Sequence, residues 1–186
     1  MLAADAPREF HWKSTMAIPG MPFNLESETW VKGNRVRVVT QTPMGPSVTV
    51  VKGRSVYINA GTIAVKTTMG AVPDGSSPAN LAQNLDDLLR NGTRLGSETV
   101  DGEACETWKT TRSDNGSSTE VLLWMSPTLR FPRKVVVKDT QRGDVTMHNT
   151  DIENKVTLGD KLFEPDPGVK YQEMGEAMRS PGESPR

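Results

Sequence analysis

The sequence has few of the residues on which most enzyme and metal sites depend. Its 186 residues include one cysteine, Cys105, and two histidines, His11 and His148. One cysteine excludes an internal disulfide, and its distance along the chain from both histidines leaves no metal-ligand spacing. No serine stands in the Gly-x-Ser-x-Gly pattern of a hydrolase. We therefore expect no catalysis, no metal and no cofactor, with Cys105 a buried small hydrophobe and both histidines ordinary sheet residues.

Charge of one sign is not in excess either. The 22 Lys and Arg residues balance 23 Asp and Glu residues, so the formal net charge is −1. The chain lacks the positive surplus that drives nonspecific binding to nucleic acid, and we expect no nucleic-acid partner. No apolar run approaches the roughly 18 residues that a membrane-spanning helix needs, so we expect no transmembrane segment. The length favours one domain with its own core.

The residues that are plentiful favour strands and tight turns. The chain has 16 Gly and 13 Pro, and short Val-, Thr- and Ile-rich runs alternate with turn sequences such as Lys32-Gly33-Asn34 and Asp101-Gly102. This pattern predicts an antiparallel meander of about ten strands. The predicted strands are Thr29–Val31, Arg35–Thr40, Ser47–Val51, Ser55–Asn59, Thr62–Met69, Thr93–Val100, Ala104–Thr111, Ser118–Met125, Arg133–Asp139 and Val145–Asp151.

One segment has the period of a helix. Leu81, Leu85, Leu88 and Leu89 follow each other at i, i+4, i+7 and i+8, so one face of residues 78–91 is apolar. Ser77 is the expected N-cap, Pro78 the first helical residue, and Gly92 the residue that takes a left-handed cap after the helix. The spacing predicts one amphipathic helix inserted midway in the sheet.

A meander of this length curls because its strands twist, and a curled sheet has a concave face. Two arrangements stay open: the helix fills that face and closes an ordinary core, or it stands off and leaves a pocket for an apolar ligand. Alternation along the strands predicts the lining, with Trp124 at its edge. The candidate lipophilic site consists of Val36, Val38, Val48, Val50, Val56, Ile58, Met69, Leu81, Leu85, Leu88, Trp124, Val135 and Val137.

Several short landmarks follow each other in a characteristic order. They are Trp30-Val31-Lys32-Gly33-Asn34-Arg35-Val36-Arg37, Thr42-Pro43-Met44-Gly45, Gly53 to Tyr57, the helix, Gly96 to Cys105, Leu123-Trp124-Met125-Ser126, Phe131-Pro132-Arg133-Lys134-Val135, Leu162-Phe163-Glu164-Pro165 and Gly168-Val169-Lys170-Tyr171. This order resembles the LolA/LolB-type superfamily of outer-membrane lipoprotein-sorting proteins, and more closely its short, uncharacterised branch. The resemblance spans most of residues 9–174.

The resemblance implies a mostly β (α+β) fold: a half-open, strongly curled antiparallel β-barrel or sheet with one main lid helix. It implies a non-catalytic carrier that binds acyl chains, a lipoprotein or another lipophilic ligand in the periplasm or envelope of a Gram-negative bacterium, with envelope proteins as further partners. The alternative from the residues is a structural or interaction module of the envelope with a closed core and no ligand.

The predicted organisation has three parts. Residues 1–8 form a flexible N-terminal segment, residues 9–174 a single β domain, and the polar, Pro- and Gly-rich residues 175–186 a disordered tail. The Ala-rich start is equally compatible with the remnant of a removed secretory signal and with an ordinary cytosolic N-terminus.

Overall fold

A computed structural model describes residues 9–68, 85–114, 117–138 and 143–174. Within them, twelve strands, one α-helix (α1, residues 85–90) and one 3-10 turn (η1, Asp160–Phe163) are present. The strands are β1 (Glu9–Ala17), β2 (Leu25–Lys32), β3 (Arg35–Thr42), β4 (Gly45–Lys52), β5 (Ser55–Asn59), β6 (Ala64–Thr68), β7 (Thr93–Val100), β8 (Glu103–Asp114), β9 (Ser117–Ser126), β10 (Phe131–Lys138), β11 (Val145–Glu153) and β12 (Gln172–Glu173).

All twelve strands belong to one sheet in the order β12-β6-β5-β4-β3-β2-β1-β11-β10-β9-β8-β7. Each neighbouring pair is antiparallel except β12 and β6, which are parallel. The connection from β6 to β7, which contains α1, therefore starts near one end of the sheet and finishes at the other. The result is a curled, half-open sheet with a lid helix, and it confirms the predicted fold class.

Tight turns connect neighbouring strands of the meander. Strands β2 and β3, β4 and β5, and β7 and β8 are each joined by two residues. Gly33 opens the first of these turns with a φ of 58°, and Asp101 and Gly102 both have positive φ, as a type I′ hairpin requires. The turn residues that the sequence singles out are thus the ones that reverse the chain.

Strand β1 was missing from the predicted strands, although it is the centre of the sheet. It pairs with β2 on one side and β11 on the other, and so joins the two halves of the chain. Phe10, Trp12 and Met16 alternate on its concave face, but the buried Ser14 interrupts the apolar pattern. Because Ser14 is polar, the apolar alternation along this strand is broken, and the pattern alone does not identify it.

Helix α1 packs its Leu85 side chain into the core of the concave face, where it is 6% exposed. Its last turn ends with backbone bonds from Asn91 to Asp87 and from Gly92 to Leu89. The prediction that Gly92 adopts a left-handed cap is wrong, since its φ is not positive. A Cβ at Gly92 would lie 2.9 Å from the Leu88 carbonyl oxygen, so close approach and not handedness explains the glycine.

Several predictions fall outside the described residues. These are the helix start at Ser77 and Pro78, the candidate lining residues Met69 and Leu81, the N-terminal segment 1–8 and the tail 175–186. The division into three parts stays a prediction. No helix among the described residues is long and apolar enough to cross a membrane.

Residues Leu158–Glu173, which we name the C-terminal strap, run along the convex face from β2 to β5 and end at the edge of β6. Within the strap, η1 packs on β3 and β4, and β12 extends the sheet beside β6. Phe163 is fully buried, and the Arg35 guanidinium lies 5.4 Å from its ring centroid. Lys52 binds Glu164 at 2.7 Å, and the rings of Tyr57 and Tyr171 meet edge to face. These contacts hold the C-terminal strap on the sheet.

Candidate functional site

Most of the described members of the predicted lining lie on the concave face. Val36 and Val56 belong to its buried cluster together with Val38, Val135 and Leu85, and the less buried Ile58, Leu88 and Val137 pack against that cluster. Cross-strand pairs account for the common face: Thr29 pairs with Val38, and Val51 with both Val36 and Val56. These residues form a shared apolar surface, as the alternation predicted.

Val48, Val50 and Trp124 lie on the opposite, convex face. Val36 pairs with Val51, so the odd-numbered residues of β4 are the ones that face inward. Trp124 pairs with Lys134, whereas its neighbour Leu123 pairs with Val135. Because a strand's side chains alternate between faces, these three residues take no part in a concave lining.

On the convex face, Val50 and Trp124 pack against other parts of the protein. Val50 is 2% exposed and pairs with Arg37 and Tyr57, both of which contact the C-terminal strap. Trp124 packs with Val100, Cys105 and Val136 in a second, smaller core. Its indole N–H donates to Glu98 at 2.8 Å, and the Lys134 ammonium lies 4.5 Å from its ring centroid.

The centre of the concave face is filled by the protein's own side chains. Trp12 and Leu123 are fully buried and Met147 is 2% exposed. The Trp12 indole N–H donates to Ser14, whose hydroxyl donates to Asn149 at 2.8 Å. The Asn149 amide in turn donates to the Pro132 carbonyl oxygen at 2.9 Å. These bonds satisfy the buried polar atoms of Trp12, Ser14 and the Asn149 side chain, and the middle of the sheet is an ordinary closed core.

A cavity of about 550 Å³ opens beside this core, between α1, strands β8 and β9 and the turn after β9. Buried Met125 and Ser126 form its floor, while Asp86, Arg130 and Asn154 are exposed and form its rim. Apolar side chains form part of its walls, and polar groups contribute nearly as much of the lining surface. Leu85 is the one described member of the predicted lining that these walls contain. The walls include Phe10, Leu85, Leu89, Trp108 and Leu129.

The turn between β9 and β10, which borders the cavity, is held by one carboxylate. Glu103 accepts hydrogen bonds from the hydroxyls of Ser126 and Thr128 and from the Arg133 guanidinium. The Ser126 hydroxyl, followed by Thr128 and Arg133, holds the pKa of Glu103 below its ordinary value of 4.5. Arg130 ends the turn with a φ of 53°, which is rare for a residue other than glycine.

The cysteine and His11, residue types that often act in catalysis, have structural surroundings in this protein. Cys105 is fully buried, and burial raises the pKa of its thiol, which disfavours the reactive thiolate. His11 hydrogen-bonds Glu28 at 2.7 Å and stacks on Trp30. Within the described residues, no group of three or more His, Cys, Asp or Glu side chains could hold a metal ion. The cavity is therefore the strongest candidate for a functional site.

The fold of this chain is similar to that of several solved structures. No protein-family model matches the chain, and no curated protein matches it in sequence. Among solved structures, the LolA superfamily protein NE2245 of Nitrosomonas europaea matches with 14% identity and a TM-score of 0.48, covering 88% of this chain and 92% of that one. LprF of Mycobacterium bovis matches with 14% identity and a TM-score of 0.49, covering 83% and 89%.

The Pseudomonas aeruginosa MucA/MucB complex reaches a TM-score of 0.53 at 13% identity. The match covers 86% of this chain and 56% of the matched chain, so the present chain spans little more than half of that relative's length. At these identities the likeness concerns the fold alone. The chain shares the fold of the MucA/MucB structure, seen directly as a half-open curled sheet with a lid helix, which is the architecture that the resemblance in its sequence implies.

Proposed function

We propose that this protein is a non-catalytic binding or carrier protein for an acyl chain, a lipoprotein or another lipophilic ligand. The observation that carries the proposal is the cavity of about 550 Å³ between α1 and β8–β9. Its size falls within the roughly 300–1,000 Å³ of ordinary ligand sites. The ligand occupies this cavity and not the centre of the sheet, because Trp12, Leu123 and Met147 already fill that centre.

The walls of the cavity suit a hydrocarbon chain. Phe10, Leu89, Trp108 and Leu129 are only partly buried, so each has apolar surface that a ligand can cover. Each methylene group removed from water contributes about 0.8 kcal/mol, and several methylenes give useful affinity without any polar contact. The exposed polar rim keeps the other end of such a ligand in contact with water.

The proposal includes a location in the periplasm or cell envelope of a Gram-negative bacterium, with lipid or lipoprotein acyl chains and envelope proteins as partners. Its support is the resemblance of the sequence to lipoprotein-sorting proteins and the fold shared with a structure of the MucA/MucB complex. Acyl-chain transfer between such partners needs a site that opens, and the half-open sheet is compatible with one.

A second candidate function is an interaction module with a closed core. It is favoured by the complete burial of Trp12 and Leu123, and by the MucA/MucB complex, in which a protein of this fold has a protein partner. The two candidates differ in whether the cavity beside α1 takes a ligand.

A substitution that fills the cavity distinguishes the two candidate functions. Leu89→Trp places an indole into the cavity wall, and Leu95→Trp, at a position on β7 that is 57% exposed and outside the lining, is the matched control. The carrier hypothesis predicts saturable, micromolar binding of a fluorescent fatty acid to the unmodified protein and to Leu95→Trp, and loss of binding in Leu89→Trp. Native mass spectrometry of protein from its own host is expected to show a co-purifying lipid. Equal binding by both variants would reject the cavity, and no binding by any of the three would favour the interaction module.

A further inference from the structure

The turn Ser126–Arg130 holds a cation at the rim of the cavity. Arg130 lines the cavity and is exposed, and its φ of 53° lies in the left-handed region. Non-glycine residues in this region cost about 1 kcal/mol or more and occur most often where the geometry serves a site. The position of Arg130 is therefore an outlier that calls for a reason.

The rest of the turn keeps Arg130 in this conformation. Its backbone N–H donates to the Ser126 carbonyl oxygen at 2.9 Å, and the Leu129 N–H donates to the Ser126 hydroxyl at 3.0 Å. Ser126 is itself bound to Glu103, which is also paired with Arg133 at 2.9 Å. Because Glu103 belongs to β8 and Arg133 to β10, two strands of the sheet anchor the turn.

The Arg130 guanidinium has no carboxylate partner among the described residues. Nearby cations are neutralised: Arg133 pairs with Glu103, Arg94 with Glu106 at 3.0 Å, and Arg90 with Asp87 at 2.8 Å. Glu106, which also lines the cavity, is thus already engaged by Arg94. The rim therefore offers an exposed guanidinium, carried on a backbone that the turn holds in place, next to the apolar part of the cavity wall.

We infer that the ligand of this cavity is an anionic amphiphile whose carboxylate binds Arg130 while its hydrocarbon chain enters the cavity. The inference rests on the proposed function and narrows its ligand class. A guanidinium offers several N–H donors in the geometry that a carboxylate accepts.

The test compares head groups on one chain length. Isothermal titration with dodecanoate, 1-monododecanoylglycerol and dodecyltrimethylammonium, each below its micelle concentration, measures an anionic, a neutral and a cationic ligand. Acetate alone tests whether a free carboxylate binds without a chain. We expect dodecanoate to bind most tightly, with an affinity that falls as salt is added, and acetate not to bind.

The variant Arg130→Gln removes the charge and keeps a polar, though shorter, side chain. It is expected to weaken dodecanoate binding about tenfold, as for loss of a charge-assisted hydrogen bond at a solvent-accessible site, and to leave the neutral glyceride unchanged. Arg90→Gln is the matched control, since Arg90 is on α1 close to the cavity but outside its lining and is paired with Asp87. It should leave both affinities unchanged, and Arg130→Lys should restore part of the dodecanoate affinity.

The outcomes that overturn the inference are distinct from failure of the proposed function. An equal loss for dodecanoate and glyceride in Arg130→Gln would assign Arg130 a structural role. Tighter binding of the cationic or neutral ligand than of dodecanoate would also reject an anionic ligand, while leaving a lipid-binding cavity in place. Binding of none of the three amphiphiles to the unmodified protein would instead contradict the proposed function itself.

Discussion

Removal of the Phe163 side chain tests whether the C-terminal strap is part of the folded core. Phe163 is fully buried on the convex face of the sheet, with the Arg35 guanidinium over its ring. Phe163→Ala removes a buried aromatic ring and leaves a cavity, which costs about 3–5 kcal/mol in free energy of unfolding. For a chain of this size each kcal/mol lowers the melting temperature by roughly 2–4 °C, so we expect a fall of roughly 6–20 °C.

Urea unfolding followed by far-UV circular dichroism, together with a thermal scan, measures this loss. Lys161→Ala, at an exposed position of the same 3-10 turn, is the control and should change the free energy of unfolding by less than about 0.5 kcal/mol. A loss below about 1 kcal/mol in Phe163→Ala would refute the reasoning, because it would show that the strap detaches without disturbing the sheet. A separate, earlier transition confined to the strap would refute it as well.

Two further predictions concern the convex face and the turn beside the cavity. Val50→Arg is expected to destabilise the protein by roughly 3–5 kcal/mol, because it places an unpaired charge under the strap. The control Val48→Arg, on the same face but half-exposed, is expected to be tolerated. Equal melting temperatures of the two variants would contradict this placement of Val50. Glu103→Gln is expected to lower stability most above pH 4.5, and its difference from the unmodified protein should shrink as pH falls below 4.5. The folded-state pKa of Glu103 is lowered, so its stabilisation is complete above the ordinary pKa and is lost as the carboxylate is protonated; a difference that grows in acid would contradict this.

For the ten predicted strands, the sequence allowed the two faces of each strand to be told apart, but the faces of neighbouring strands were combined incorrectly in two places. On β4, Val48 and Val50 were assigned to the face of Val36 and Val38. The turn Pro43-Met44 separates the paired residues Thr42 and Gly45, so an even-numbered residue of β3 pairs with an odd-numbered residue of β4. That parity follows from a two-residue turn, so counting the turn would have found the correct face.

Trp124 is a different case, because no turn count predicts its face. The β9–β10 register shifts by one residue between Pro132 and Lys134. Continuing the pairing of Pro132 with Met125 without that bulge would place Trp124 opposite Arg133 and on the face of Val135. The bulge reverses the phase, so that Trp124 pairs with Lys134 and points to the convex side.

The candidate site depends on contacts between distant parts of the chain. Phe10 of β1, Leu89 of α1, Trp108 of β8 and Asn154 after β11 meet around one cavity. None of them has a local pattern that distinguishes a cavity wall from a packed core. Arg130 was likewise not singled out, since its unusual backbone and its lack of a carboxylate partner appear only when the turn is seen against Glu103 and α1.

By itself, the sequence determined what depends on neighbours along the chain: the alternation of strands such as β3, the reversals at Gly33 and Gly102, and the helical leucine period that ends near Gly92. These features are local because side-chain period and turn geometry are set within a few residues. Only the tertiary structure decided the rest. The curl, the one-residue shift on β10, the strap on the convex face and the gap left beside Leu85 depend on how surfaces far apart in sequence fill space against each other.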